Sequence, residues 1–167
     1  VRLRDDAATW LLVLGIVQWA VGEISVADVR AAISRGEVQV LRRSGVVVAT
    51  VTVTGSDEVV WGVGDNVVAR YVHRLIVARG HPGLGAAVLA EVEARSAGED
   101  AAVVRLDCVE SNARLRHWYA ARGYREVGRV VPTTPGWHPS TLFEKPVPTS
   151  GERGQASGPA SRAASSR

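Results

Sequence analysis

Apolar positions along this chain change period several times, and each change marks an element. Residues 5–13 have the helical period, and Gly15 ends the run. Residues 25–35 read as a second helix: Ser25 caps it, Asp28 stands three positions on, Val26, Val29 and Ile33 form an apolar stripe, and Gly36 stops it. From there β-branched residues dominate. Residues 38–43, a Ser44-Gly45 turn and residues 46–54 predict a β-hairpin. Residues 55–67 read as a loop, and residues 70–77 as a third strand. Gly80-His-Pro-Gly-Leu-Gly85 interrupts the chain before a helix over 86–97, rich in Ala, Leu, Glu and Val. A strand over 101–108, a helix over 112–122 closed by Gly123, a strand over 124–131, a Pro/Gly loop over 132–139 and a strand over 140–145 complete the pattern.

The order α-α-β-β-β-α-β-α-β-β predicts an α+β fold. Hairpins early and strand–helix–strand crossovers later imply a mixed sheet, antiparallel in its N-terminal strands and parallel in its middle, with flanking helices. Residues 1–147 make one domain. Residues 148–167 make a tail that is Ser-, Ala-, Gly- and Arg-rich from Gly151 on, with too little apolar surface to order itself.

Composition narrows the function classes. The chain has 167 residues, 46% of them hydrophobic, enough for one core without staples. Cys108 is the single cysteine, so an intrachain disulfide and a C-x-x-C zinc site are excluded; no metal is expected. A formal charge of +3 comes with scattered arginines and no interleaved aromatic ladder, which argues against nucleic-acid binding. Lys145 is the only lysine. The apolar run over 10–17 is too short to span a bilayer, which needs about 20 residues. Asp5, Asp6, Gln18 and Trp19 flank it against a signal-peptide reading, so a cytoplasmic, membrane-free protein is expected, as monomer or homodimer.

The chemistry centres on strand, Gly80-x-x-Gly83-x-Gly85, helix. Glycines permit close backbone approach, and the N–H groups of a helix start attract anions. The same pattern also suits a tight turn that holds no ligand. A P-loop fails for want of a lysine, and a Rossmann fingerprint fails because its third glycine position is Val88. Asp107, about 20 residues beyond the loop, keeps dinucleotide binding open as a third reading.

Two blocks resemble a known superfamily. Tyr71-Val-His-Arg-Leu-Ile-Val77 with the glycine loop, and Asn112-x-x-Leu115-x-x-x-Tyr119-x-x-x-Gly123-Tyr124, stand at the separation found in GNAT-superfamily N-acetyltransferases. Trp10-Leu, Gly15-Ile-x-Gln-Trp19 and Gly22-Glu-Ile24 are similar to a branch common in high-GC bacteria. The likeness covers about residues 4–147. It implies an acetyl-CoA co-substrate and acetyl transfer to a primary amine of a small molecule or protein. It also implies a parallel splayed pair of strands at the cofactor cleft. A non-catalytic acyl-CoA-binding module is the alternative.

By the same resemblance Tyr119 is the general acid that protonates the leaving thiolate, and His73 a base for the amine; an aromatic that packs the helix onto the sheet and an ordinary strand histidine are the alternatives. Leu75, Ile76, Val77, Gly80, His81, Gly83, Leu84, Gly85, Ala86 and Asn112 are the cofactor-binding positions. Asn112 equally suits a helix N-cap. Asp57, Glu58 and Glu110 are other candidate bases, Cys108 reads as a buried inert thiol, and Trp61, Trp137 and His138 lie in loops where they suit either the lining of an acceptor pocket or, preferably, ordinary loop packing. Two features depart from the family pattern: Gly80 stands where Arg or Gln is usual, and Pro82 has no N–H. The family's first strand is expected upstream of Val1, paired with 38–43.

Overall fold

The structure is a computed structural model that describes residues 1–20, 22–62, 66–133 and 136–148. The predicted tail beyond residue 148 lies outside them. The elements run α1 (Arg2–Val13), α2 (Val26–Ser34), β1 (Val38–Arg43), β2 (Val46–Thr54), α3 (Glu58–Trp61), β3 (Ala69–Val77), α4 (Leu84–Gly98), β4 (Val103–Val109), α5 (Ala113–Ala120), β5 (Arg125–Val130) and β6 (Ser140–Pro146). The six strands form one sheet in the order β1-β2-β3-β4-β6-β5. Only β3 and β4 pair in parallel, across the α4 crossover; every other pair is antiparallel. The expected mixed sheet with flanking helices is therefore present.

Strand alternation sorts the side chains onto two faces. Val72, Val104, Leu106 and Phe143 join Leu89 and Val92 of α4 and Tyr119 of α5 in the main core. On the other face Ala69, Tyr71 and Val103 pack under Trp61. Arg105 is buried there: its guanidinium lies 4.9 Å from the Trp61 ring, donates to the Tyr71 hydroxyl at 3.1 Å and pairs with Glu144 at 2.9 Å. A buried charge held this way is paired and hydrogen-bonded, as burial demands. At the far side of the core Lys145 donates to Glu93 at 2.6 Å, and the Tyr124 hydroxyl donates to the other oxygen of the same carboxylate at 3.0 Å.

Local chemistry explains the helix ends. Ser25 and Asp28 form the expected capping box, with Asp28 N–H donating to Ser25 Oγ at 3.0 Å and Ser25 N–H to Asp28 Oδ2 at 3.2 Å. The stripe assigned to this helix is corrected: Val26 and Ile33 are each 54% exposed, and Ala32 is the residue that packs inward. With 3.6 residues per turn, a nine-residue helix lying on a sheet edge turns one narrow face inward, and here the small residue occupies it. The 55–67 loop also contains structure that its composition hid. Asp57 Oδ1 accepts from Val60 N–H at 3.2 Å and starts the single turn α3.

Candidate active site

β3 and β4 pair only from Ala69↔Val103 to Val72↔Leu106. Beyond that point β4 continues its pairing with β6 as far as Val109↔Ser140, while β3 stays with β2. The parallel pair therefore splays, and a cleft of about 1460 Å³ opens between the strands. α1, the segment after it, the end of β3, the glycine loop, the end of β4 and α5 supply its walls.

A bulge sharpens the break in β3. Thr50 pairs with Ile76 but Thr52 pairs with His73, so Arg74 and Leu75 together oppose Val51. Arg74 takes a left-handed φ of 52° to make room. That conformation costs a non-glycine residue about 1–2 kcal/mol, and bulges of this kind re-aim side chains beside sites.

The glycine loop closes one end of the cleft. Gly83 has φ 78° at the N-cap of the 15-residue α4, and no side chain caps that helix start. Its first turn contains no acidic residue, so the positive end of the dipole is not neutralised from within. Gly80, His81 and Gly85 line the main cleft. Gly83 and Leu84 line a neighbouring hollow of about 410 Å³, where Arg43 adds a cation. Ala86 lines neither. Of the strand positions, Leu75, Ile76 and Val77 all line the cleft.

On α5, Asn112 is buried and its side chain has two partners. Its Oδ1 accepts from Leu115 N–H at 3.1 Å, and its Nδ2 donates to Gln18 Oε1 at 2.7 Å. The capping role is therefore present, and the second bond ties α5 to the segment after α1. Gln18, which sequence reasoning left without a role, gives no local signal of this contact 94 positions away. Tyr119 lies seven residues on and lines the cleft. Its ring is packed edge-on against Trp118 and Tyr124, with centroids 5.3 and 5.9 Å away, and tilted against Phe143 at 5.7 Å. Burial holds the phenol well above its ordinary pKa, so it stays protonated.

His73 lines the cleft opposite. Its Nε2 is 3.3 Å from Thr54 Oγ1 and 3.8 Å from Asp57 Oδ2. Burial lowers its pKa, and the carboxylates of Asp57, Asp107 and Glu37 only partly offset this. The imidazole is thus neutral near pH 7. Asp107, at the end of β4, is pushed up by burial and accepts a hydrogen bond from Ser140. Sequence reasoning noted Asp107 only for its spacing; the sheet places it in the wall beside His73. Of the other candidate bases, Glu110 is held by Arg129 and is not part of the cleft wall, and Glu58 lies exposed on α3. Cys108 is buried, and burial pushes its thiol up to about 12, as expected of an inert thiol. Trp137 and His138 do line the cleft, whereas Trp61 packs on the far face. Among the described residues no group of three His, Cys, Asp or Glu side chains is placed to hold a metal ion, and no helix is long and apolar enough to cross a membrane.

A mixed sheet with a parallel pair at its centre and flanking helices defines a class of α+β fold that solved structures share. A GNAT-family acetyltransferase from Listeria monocytogenes matches over 87% of this chain and 86% of its own, at TM-score 0.70 and 24% identity. A GNAT-family acetyltransferase from Elizabethkingia anophelis, with acetyl-CoA bound, matches over 74% and 84% at TM-score 0.55 and 12% identity. No family model matches the sequence. The uncharacterized N-acetyltransferase YesJ of Bacillus subtilis is 30% identical over 148 residues, which cover 84% of this chain and 79% of YesJ. The chain belongs to the GNAT superfamily of N-acetyltransferases and is an acyltransferase.

Proposed function

We propose that this chain transfers the acetyl group of acetyl-CoA to a primary amine, of a small molecule or a protein, by direct attack on the thioester. The observation that carries the reading is the splayed β3–β4 cleft running up to the uncapped start of α4. Gly83 and Gly85 leave backbone N–H groups there for a pyrophosphate, and Arg43 adds charge at the same end. The acetyl-CoA bound to the Elizabethkingia relative in fold supports the choice of acyl donor.

His73 is neutral and sits in the wall, so it can take a proton from the amine. Tyr119 stays protonated at neutral pH and can give one to the departing sulfur. Backbone N–H groups of β3, set by the bulge, polarise the thioester carbonyl. Asn112 and Gln18 brace α5, so the phenol keeps its place relative to β3.

The test is thiol release from acetyl-CoA with a panel of amines. Release that depends on an amine supports transfer. Binding of acetyl-CoA with no release for any acceptor would instead leave an acyl-CoA-binding module.

A further inference from the structure

The surroundings of His73 determine which of its two nitrogens can act. Thr54 Oγ1 carries one proton, and it donates that proton to the Ser56 carbonyl at 2.8 Å. At its 3.3 Å contact with His73 Nε2 it can therefore only accept, so Nε2 must carry the hydrogen. Asp57 adds a second constraint from the same side. Its Oδ1 is committed to the start of α3, while its Oδ2 is buried, has no hydrogen-bond partner, and lies 3.8 Å from Nε2. The Asp57 side chain is only 9% exposed. A buried carboxylate oxygen without a donor is costly unless a positive charge appears beside it, and a protonated imidazole supplies that charge.

We propose that Thr54 and Asp57 are positioning residues: they hold His73 as its Nε2–H tautomer and leave Nδ1 as the lone pair that takes the acceptor's proton. This rests on His73 being the base in the proposed reaction. As the amine lone pair forms the N–C bond and the C–S bond breaks, the nitrogen sheds one proton to Nδ1. Tyr119 gives one proton to the sulfur, and exchange with solvent restores both groups. Nδ1 makes no hydrogen bond among the described residues, and the ring lines the cleft. The charged groups acting on the ring are Asp57 beside α3, Asp107 on β4, Arg74 on β3 and Glu37 before β1. Of the three carboxylates, Asp57 acts most strongly.

Ring nitrogen shifts of the 15N-labelled free protein read the tautomer directly. The His73 signal is identified among the four histidines by its loss in His73→Gln. The wild type should show a protonated Nε2 and an unprotonated Nδ1 near pH 7.5. Thr54→Val should give a mixture of tautomers. Asp57→Asn keeps an oxygen for the α3 cap, so the fold should hold. It should lower the His73 titration midpoint and move the acid limb of kcat/KM to lower pH. Each variant should lose roughly tenfold or more in kcat, short of the 10²- to 10⁴-fold that general-base removal costs.

A protonated Nδ1 in the wild type, or an unchanged tautomer in Thr54→Val with an unchanged pH profile in Asp57→Asn, overturns this inference and leaves acetyl transfer untouched. Wild-type turnover in His73→Gln would overturn the base assignment on which it rests.

Discussion

Substituting the two loop glycines separates ligand binding from folding, because the structure gives them opposite effects on stability. Gly83 has φ 78°, and a Cβ there would meet nothing within 4 Å. Gly83→Val therefore adds only the left-handed backbone penalty, about 1–2 kcal/mol, or slightly more for a β-branched residue. For a domain of this size that lowers the melting temperature by roughly 2–8 °C. Gly85 lies inside the first turn of α4 without a positive φ. A Cβ there would sit 3.7 Å from both Trp118 and Val77, an ordinary contact. Gly85→Ala should leave the melting temperature unchanged or raise it, since alanine is favoured over glycine inside a helix by about 0.5–1 kcal/mol. Trp118 and Val77 are both cleft walls, so the new methyl narrows the passage between them.

Acetyl-CoA at 100 times its dissociation constant should stabilise the wild type by about 2.7 kcal/mol, a rise of roughly 5–11 °C. Both variants should lose most of that rise: Gly83→Val from a lower baseline, Gly85→Ala from an equal or higher one. Differential scanning calorimetry with and without acetyl-CoA reads both quantities. If either variant keeps the full wild-type rise, the loop is not the pyrophosphate site.

Tyr119→Phe should keep the edge-on contacts with Trp118 and Tyr124 and hold cofactor affinity, while kcat falls by roughly 10²- to 10⁴-fold; a folded variant with wild-type kcat would make the tyrosine purely a core residue. NAD at saturating concentration should give no thermal shift, because Val88 occupies the third position of the dinucleotide loop; a shift comparable to that with acetyl-CoA would reopen that reading. Burial raises the Asp107 carboxyl in the folded state, so its stabilising contribution is complete below the unfolded value and is lost as pH rises through the folded one. Asp107→Asn should accordingly gain stability relative to wild type as pH rises above the ordinary carboxylate value of 3.8, and a gap that shrinks as pH rises from there would refute the assignment. Cys108, with its thiol pushed up to about 12, should resist iodoacetamide at pH 8 in the native protein and react on unfolding; rapid native alkylation would show that the thiol is accessible.

Where local chemistry decides the outcome, the sequence was readable. The Ser25–Asp28 box and the Ser44-Gly45 turn are set by residues within a few positions of one another, and each appears where its pattern points, whereas the helix after the glycine loop begins at Leu84, two residues before the expected start. The α2 stripe was misread because amphipathic spacing does not say which face meets the sheet, and Ala32 rather than Val26 took that place. The single turn α3 escaped notice because four residues carry no period; only Asp57 hinted at a cap. The glycine loop and the strand before it could be assigned from pattern. The cluster around His73 could not be, since the Thr54–Asp57 stretch and Asp107 reach it from two distant segments that only sheet register brings together.

The Glu93–Lys145 contact has a practical meaning for any search for the acceptor. This chain contains one lysine, and that lysine is clamped by a carboxylate beneath a tyrosine ring. An acetyltransferase proposed to act on amines thus presents almost none of its own. In a mixture with candidate protein substrates, label found on this chain has one lysine address, and a Lys145→Arg variant removes it. Low self-labelling makes labelled acetyl-CoA a clean reporter of foreign acceptors. Amine-directed dyes or supports would likewise meet one lysine, and it is not among the residues that line the cleft.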